Sequence, residues 1–480
     1  MATTTPSTGR PNESEIETDI TIYGATSFVA RHILMYLKDV GPSLPRKLTI
    51  TLAGRNESKL QKILQDNNNT DTSNSNNNIS LDIFVAESTD APALHTMASR
   101  TRTIINCAGP FEKYSSGVVK ACADTGCDYT DITGEVHWVG AMRVKYGTAA
   151  AKSGARIISL CGFDSVPSDL SIFAAVQALR AKVPDAQVET ARTWHSVFGM
   201  AGGGTLATMH QMQPDIGRCF LDSSNNNSLR PVPFMLFDPL VLTHPETVRF
   251  NPDHQDDRNR MALAEWWNLL PYPHTIFKQG VSIPFFMGVC NSKVVHASAL
   301  ALNYGPNISY YERFLPLGFE LTLGFGLFST IPSLIILFAI AMGGLILQIP
   351  ILSDLLLKVF APPGTGASDE MCAKGHAEVY AEVKAPLSVA GKVSCANVYM
   401  EFQGDPGNMV TAQCVVESAL SLVLDRDNLP PRSKDGFGTP AELLGPVLLQ
   451  RLRNTKVRPV TVKTNVRKSE REHEYKVYIF

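Results

Sequence analysis

Between residues 18 and 162 the chain alternates between apolar, β-rich runs and helical patterns. The runs read "DITIYG", "KLTITLAG", "SLDIFVA", "RTIINCAG", "CDYTDIT" and "ARIISLCG", and the helical patterns fall at 27–40, 56–66, 90–99, 115–126 and 135–152. Strands that alternate with helices are βαβ units, which build a parallel sheet with helices on both faces. Six such strands make a complete doubly wound domain. No other feature constrains the fold so tightly.

After about residue 165 the pattern changes. Residues 188–310 mix short strands with Pro-rich loops such as "RPVPFMLFDPL" and "LLPYPHTIF". Residues 375–425 read as two strands, "GHAEVYAEVKA" and "GKVSCANVYMEF", followed by a helix from Thr411 to Leu424. The end, "VRPVTVKTNVRKSEREHEYKVYIF", alternates and predicts a terminal hairpin. Two Asn/Ser-rich stretches, 66–78 and 223–228, have too little apolar surface to pack and read as disordered insertions.

Between the two patterns lies a charge-free stretch. From Leu321 to Ser353 there are 33 residues without Asp, Glu, Lys or Arg. A bilayer-spanning helix needs about 20 apolar residues. Pro332, Gly343, Gly344 and Pro350 would be awkward in one straight helix, though membrane helices tolerate them. Membrane or lipid-surface association is the favoured reading, and a buried helix pair under the second domain is the alternative. The flanking Arg313 and Lys358 give no orientation. The expected architecture is α/β. A Rossmann-type doubly wound parallel sheet (18–165) is followed by a second α/β (α+β) domain (166–313 and 359–480). A hydrophobic membrane-associating segment (314–358) interrupts the second domain, and residues 1–17 form a disordered lead-in.

The net charge of −2 leaves no electrostatic footprint for nucleic acid. Charged residues make up 18 %, below the roughly 25 % of ordinary soluble domains, and the charge-free stretch accounts for part of that. Nine cysteines are scattered without a C-x-x-C pair, so reduced, mostly buried thiols are expected and no metal site. The first 18 residues carry no apolar h-region, so no signal peptide is expected.

The first strand runs into "GATSFVA", 24–30. Strand, tight turn and helix start make a dinucleotide-binding loop, in which three glycines usually serve the turn, the pyrophosphate approach and helix packing. Gly24 keeps the first role and Ala30 suits the third, while Ser27 stands in the second position. The Ser27 hydroxyl suits a phosphate oxygen, and equally an N-cap with no ligand. The second strand ends in Gly54-Arg55, where an NAD site would offer an acid to the ribose 2′-OH. An arginine suits a 2′-phosphate instead, which favours NADP(H) over NAD(H). Cys107, Ala108, Gly109 and Pro110 follow the fourth strand at the carboxyl edge of the sheet, where ligands lie in this fold. The expected cofactor-binding set is Gly24, Ala25, Thr26, Ser27, Phe28, Val29, Arg55, Cys107, Ala108, Gly109 and Pro110.

The stretches "IYGATSFVARHILMYL", "LAGRNESKL", "INCAGPFEKYSSGVVKACADTGCDYTDITGE" and "CGFDSVPSDL" resemble the saccharopine dehydrogenase-like oxidoreductases, and more closely their trans-acting enoyl reductase branch. "GGGTLATM", "GTGASDE" and "GFGTPAELLGPVLLQRL" continue the resemblance in order through the second half. The resemblance implies a Rossmann domain binding NAD(P), a larger α/β domain and a reductase activity. In bacterial relatives the substrate is a lipid-linked unsaturated acyl or polyketide chain of glycolipid assembly. Relatives in animals and fungi are associated with lipid droplets and membranes. Ser27 and Ala30 depart from the family's glycines.

Enoyl reduction needs a hydride at one carbon, a proton at the next and a hold on the carbonyl. "YTDITGEVHW" offers Tyr129, Asp131, Glu135 and His137, and "GFDSVPSD" offers Asp164 and Ser165. Ser168-Asp169 reads as a helix cap, and Gly202–Thr205 as backbone donors or a helix start. No proton donor is assigned. Tyr380 and Lys384 have a Y-x-x-x-K spacing but lie in an alternating strand, and are discounted. The aromatic and Met-rich stretches "VPFMLFDPL", "EWWNLLPYPH" and "IPFFMGV" suit an apolar substrate better than the three carboxylates of saccharopine.

Three readings follow. The first is an NADP(H)-dependent reductase of a lipid-linked substrate at a membrane or lipid-droplet surface, with its domains facing the cytosol. The second is a non-catalytic lipid-droplet protein that retains the fold, and the third an amino-acid dehydrogenase. The basic run Arg451, Arg453, Lys456, Arg458, Lys463, Arg467, Lys468 reads as a solvated face, with lipid head groups as the alternative partner.

Overall fold

The computed structural model describes residues 13–70, 78–199, 239–243, 261, 272–273, 281–306, 308–316, 318, 330–347, 368–386 and 392–471. They fall into two compact units, one from Met1–Gly162, Thr411–Arg451 and Thr455–Val457, the other from Phe163–Val410, Leu452–Asn454 and Arg458–Phe480.

The first 162 residues carry β1 (Thr18–Tyr23), α1 (Phe28–Val40), β2 (Leu48–Gly54), α2 (Glu57–Thr70), β3 (Ile79–Val85), α3 (Ala91–Ser99), β4 (Thr101–Asn106), α4 (Phe111–Tyr114), α5 (Ser116–Thr125), β5 (Asp128–Asp131), α6 (Val136–Ser153) and β6 (Ile157–Ile158). Every strand and helix expected from the alternation is present. The central strands are buried on both faces, which is why they read as continuous apolar runs. Two details differ. The helix expected at 115–126 is α5, and a short helix that was not expected, α4, precedes it. The Asn-rich insertion expected from 66 begins as the last turn of α2, while 71–77, like 223–228, lie outside the described residues.

The second unit contains α7 (Val166–Lys182), β7 (Thr190–Phe198), β8 (Tyr272–Pro273), β9 (Val281–Pro284), α8 (Gly288–Ala301), β10 (Ser309–Phe314), α9 (Thr330–Leu347), α10 (Asp369–Lys374), β11 (His376–Pro386) and β12 (Lys392–Gln403). The expected strand pair is β11 and β12, antiparallel from His376↔Gln403 to Pro386↔Val393.

The remainder is α11 (Thr411–Leu424), β13 (Phe437–Gly438), α12 (Pro440–Leu443), α13 (Gly445–Asn454) and β14 (Thr461–Arg471). The first sheet has the order β13-β6-β5-β4-β1-β2-β3 and is parallel throughout. The second is mixed, with the order β14-β12-β11-β7-β10-β9-β8.

The domain boundaries need correction here. Residues 359–480 do not all belong to the second domain, because 411–451 return to the first unit, whose opening segment ends at Gly162 rather than 165. Helix α11 packs beside α1 and over β1, β4 and β5, and β13 extends the sheet beside β6. A doubly wound sheet must be covered on both faces, and α11 supplies part of that cover. Polar groups tie it down. The Tyr36 hydroxyl donates to Glu417 Oε1 (2.8 Å), and Arg451 bridges Glu417 Oε2 and Asp425 Oδ2, each at 2.7 Å. Arg143 forms a buried two-pronged pair with Asp435 at 2.6 and 3.0 Å. Arg451 is therefore engaged with acids instead of forming a free basic face. The expected terminal hairpin is also corrected: β14 pairs antiparallel with β12 at the sheet edge, and 472–480 lie outside the described residues.

Candidate functional site

The eleven expected cofactor residues converge on the carboxyl edge of β1, β2 and β4. Gly24 turns the chain out of β1 with φ +80°. A Cβ there would stand 2.8 Å from the Ala108 nitrogen, so both the backbone and the neighbouring loop require glycine. The Cys107 N–H donates to the Tyr23 carbonyl (2.8 Å), and the Gly24 and Ala25 N–H groups donate to the Ala53 carbonyl (2.9 and 3.1 Å). The loops after β1, β2 and β4 are thus bonded backbone to backbone. Arg55, exposed, follows directly from β2, and no carboxylate pairs with it among the described residues.

Ser27 is the N-cap of α1. Its Oγ accepts from the Ala30 N–H at 3.2 Å, which leaves the hydroxyl proton to donate elsewhere. The N–H groups of Thr26, Phe28 and Val29 meet no acceptor among the described residues and stand at the positive end of the helix dipole. Open N–H donors, a backbone bare of side chain at Gly24 and a free guanidinium at the end of β2 fit a dinucleotide with a 2′-phosphate.

The β4 loop is held from beneath. Asn106 donates to the Tyr129 hydroxyl (2.9 Å) and accepts from the Ala108 N–H (2.9 Å), and Ser115 Oγ donates to the Ala108 carbonyl (3.0 Å). Glu135 accepts from the N–H groups of Phe111 and Glu112 at 2.9 and 2.8 Å, so its carboxylate caps α4. Asp131 is fully buried and accepts from Thr133 N–H (3.1 Å), Leu160 N–H (3.0 Å) and Ser159 Oγ (2.9 Å). Burial pushes its carboxyl up to about 6 against those bonds. Tyr129 is also fully buried, and burial raises its hydroxyl well above the ordinary range. Tyr129, Asp131 and Glu135 therefore hold the loops from inside. His137 Nε2 lies 3.4 Å from Glu112 Oε2, and that contact draws the Glu112 carboxyl below its ordinary value.

Residues 20–158 match the saccharopine dehydrogenase NADP-binding domain. The cofactor preference, NADP(H) over NAD(H), accords with that match. The NADP-binding domain continues into a chain that is similar, over nearly its whole length, to a trans-acting enoyl reductase of Mycobacterium ulcerans: 29 % identical over 467 residues, 93 % of this chain and 98 % of the relative. A lipid droplet localized protein of Caenorhabditis elegans is 35 % identical over 154 residues, 32 % of this chain and 35 % of the relative. A solved apo saccharopine dehydrogenase (L-Glu forming) from Saccharomyces cerevisiae overlays with a TM-score of 0.46 at 11 % identity, covering 93 % of this chain and 100 % of that one. The resemblance read from the motifs holds along the chain.

Outside the NADP-binding domain the remaining candidates separate. Tyr380 is buried in β11, and Lys384 Nζ lies 3.2 Å from Glu382 Oε1, so the Y-x-x-x-K spacing is structural. Ser165 donates to Asn291 Oδ1 (3.1 Å) and Ser168 to Glu312 Oε1 (2.7 Å), whereas Asp164 is half-buried and bonds to nothing among the described residues. Gly202–Thr205 lie outside the described residues. Sequence reasoning missed Glu312, His195 and Asn291. They sit on β10, β7 and α8 with no local motif around them, and only the fold gathers them.

The charge-free stretch is described over α9. Pro332 falls in its first turn, where a missing N–H leaves no bond unmade, and Gly343 and Gly344 continue the helix. Ile331, Ile335 and Phe338 are 64 %, 63 % and 68 % exposed, and Leu334 and Met342 add to the exposed apolar surface. On its other side α9 packs against β9.

Proposed function

We propose that this chain is an NADP(H)-dependent reductase of the enoyl reductase type, acting on a long-chain or lipid-linked unsaturated substrate of the kind used in glycolipid assembly. It works at a membrane or lipid-droplet surface with its domains facing the cytosol. The observation that carries the reading is the convergence of Gly24–Val29, Arg55 and Cys107–Pro110 on one edge of an NADP-binding domain. When bound, NADP(H) supplies the hydride. The chain's own part is to receive phosphates on the N–H groups at the start of α1, the 2′-phosphate on Arg55, and the nicotinamide half against the bare backbone of Ala108 and Gly109.

The surface part of the reading rests on α9. Its exposed stripe has no charged residue anywhere from 321 to 353, whereas protein interfaces carry a polar rim. A helix with one face on protein and the other apolar and open suits insertion into the outer part of a lipid layer. The relative named for lipid droplets points the same way. Ser27's use as a helix cap favours one second reading, a non-catalytic lipid-droplet protein on the same scaffold.

Fluorescence titration with NADPH and NADH decides between them. Micromolar NADPH binding is expected, weakened about 10- to 100-fold in Arg55→Ala, with NADH unaffected by the change. Folded protein that binds neither nucleotide would leave only the second reading.

A further inference from the structure

Helix α4 is a single turn, closed by backbone bonds from the Tyr114 N–H to the Pro110 carbonyl (3.1 Å) and from the Ser115 N–H to the Phe111 carbonyl (2.8 Å). Its first N–H groups need acceptors, and Pro110, in the cap position, has no side-chain oxygen to offer. The acceptors come from another loop. Glu135 stands between β5 and α6 and is 2 % exposed. It takes the Phe111 N–H on Oε1 (2.9 Å) and the Glu112 N–H on Oε2 (2.8 Å). One carboxyl group thus caps α4 from outside its own segment.

The other end of α4 reaches the nucleotide edge. Ser115 ends the turn, and its Oγ donates to the Ala108 carbonyl (3.0 Å), while the Ala108 N–H donates to Asn106 Oδ1 (2.9 Å). Ala108 therefore has both backbone groups engaged. Gly109 differs: neither its N–H nor its carbonyl has a partner among the described residues. An N–H and a C=O on one residue match in kind the carboxamide of nicotinamide, which offers an acceptor and a donor. The line of contacts runs from Glu135 through α4 to Ser115, Ala108 and Gly109. Among the described residues Glu135 bonds to Phe111, Glu112 and Thr133, and to nothing in the loops after β1 and β2.

We infer that Glu135 and Ser115 are positioning residues for the nicotinamide half of NADP(H); the inference rests on the placement of the cofactor proposed above. They hold the Ala108–Gly109 backbone in the conformation that the cofactor meets, and leave the adenosine half to Gly24–Val29 and Arg55. The physical content is a population. A loop without these bonds spends part of its time in other conformations, and apparent affinity falls by the fraction that stays competent. Both holds act on one loop. The loss therefore belongs to a ligand that touches Gly109, and not to one that ends at the adenosine 5′-phosphate.

Calorimetric titrations of the full chain with NADPH and with adenosine 2′,5′-bisphosphate, the adenosine half alone, test this. Glu135→Gln keeps the side chain's shape but turns an amide NH2 toward one of the two backbone N–H groups. NADPH affinity should fall about 10- to 100-fold, while affinity for the bisphosphate stays within about twofold of wild type. Ser115→Ala removes the hold on the Ala108 carbonyl with little change of volume. It should show the same selective loss, about 3- to 10-fold, and it decides the matter should Glu135→Gln not fold. Equal weakening of both ligands, or unchanged NADPH affinity in the folded variants, overturns the positioning role and leaves the cofactor site standing. Wild type that binds neither ligand overturns the placement of the cofactor, and the positioning role with it.

Discussion

Two apolar helices of this chain are covered in opposite ways. The helical run Pro406–Leu424 is, among the described residues, the one long and apolar enough to cross a membrane, yet 78 % of its most apolar window is buried within the protein. Helix α9 carries no charge at all and leaves Ile331, Ile335 and Phe338 more than half exposed. The difference lies in the few polar side chains. Glu417 on α11 is met by Tyr36 on α1 and Arg451 on α13, so the helix is fastened between them at a fixed height and rotation. Within α9 only Thr330 and Ser333, both in its first turn, carry side-chain hydroxyls. Hydropathy reports that water is excluded, and the polar partners report by what.

The comparison breaks most readily at α11. Val416 is fully buried, and Val416→Asp should cost about 4 kcal/mol or more, seen in urea unfolding as loss of the cooperative transition or a much lower midpoint. Mild destabilisation there would mean that α11 is not a core helix. A smaller effect comes from β5, which α11 covers. The folded carboxyl of Asp131, at about 6, lies above its unfolded value, so its contribution is complete at pH below about 4 and is lost as pH rises through 6. The stability gap between wild type and Asp131→Asn should therefore shrink by about 2 kcal/mol between pH 4 and pH 7. A gap that is constant or widens with pH would contradict the burial of that group. The smallest expected effect on stability is at α9. Ile335→Glu with Phe338→Glu should change the unfolding free energy by no more than about 0.5 kcal/mol each. The same pair should lower flotation with phospholipid vesicles about tenfold or more, since each side chain buries about 1.5–3 kcal/mol of apolar surface in a lipid layer. Unchanged flotation would make the exposed stripe something other than a lipid contact.

The strands and helices of the first 162 residues were legible because a sheet buried on both faces writes itself as continuous apolar runs between helical patterns. The gathering of Gly24, Arg55 and Cys107 was legible for a related reason: they sit at strand ends, and strand order alone carries them to one side. The buried polar contacts were not. Glu135 looks like a catalytic acid in "TGEVHW" and caps α4, while Glu312 has no motif around it and becomes a partner of Ser168 and His195 only through the second sheet.

The sequence by itself determined the doubly wound sheet, its NADP-binding character and the charge-free stretch, because strand periodicity, turn chemistry and charge are local properties. The tertiary structure alone decided that 411–451 return to the first sheet, that Asp131 is a buried brace while Asp164 keeps an unbonded carboxyl, and that α9 presents an open apolar stripe. Those outcomes depend on which distant groups come to share a hydrogen bond or exclude water, and chain order does not carry that information.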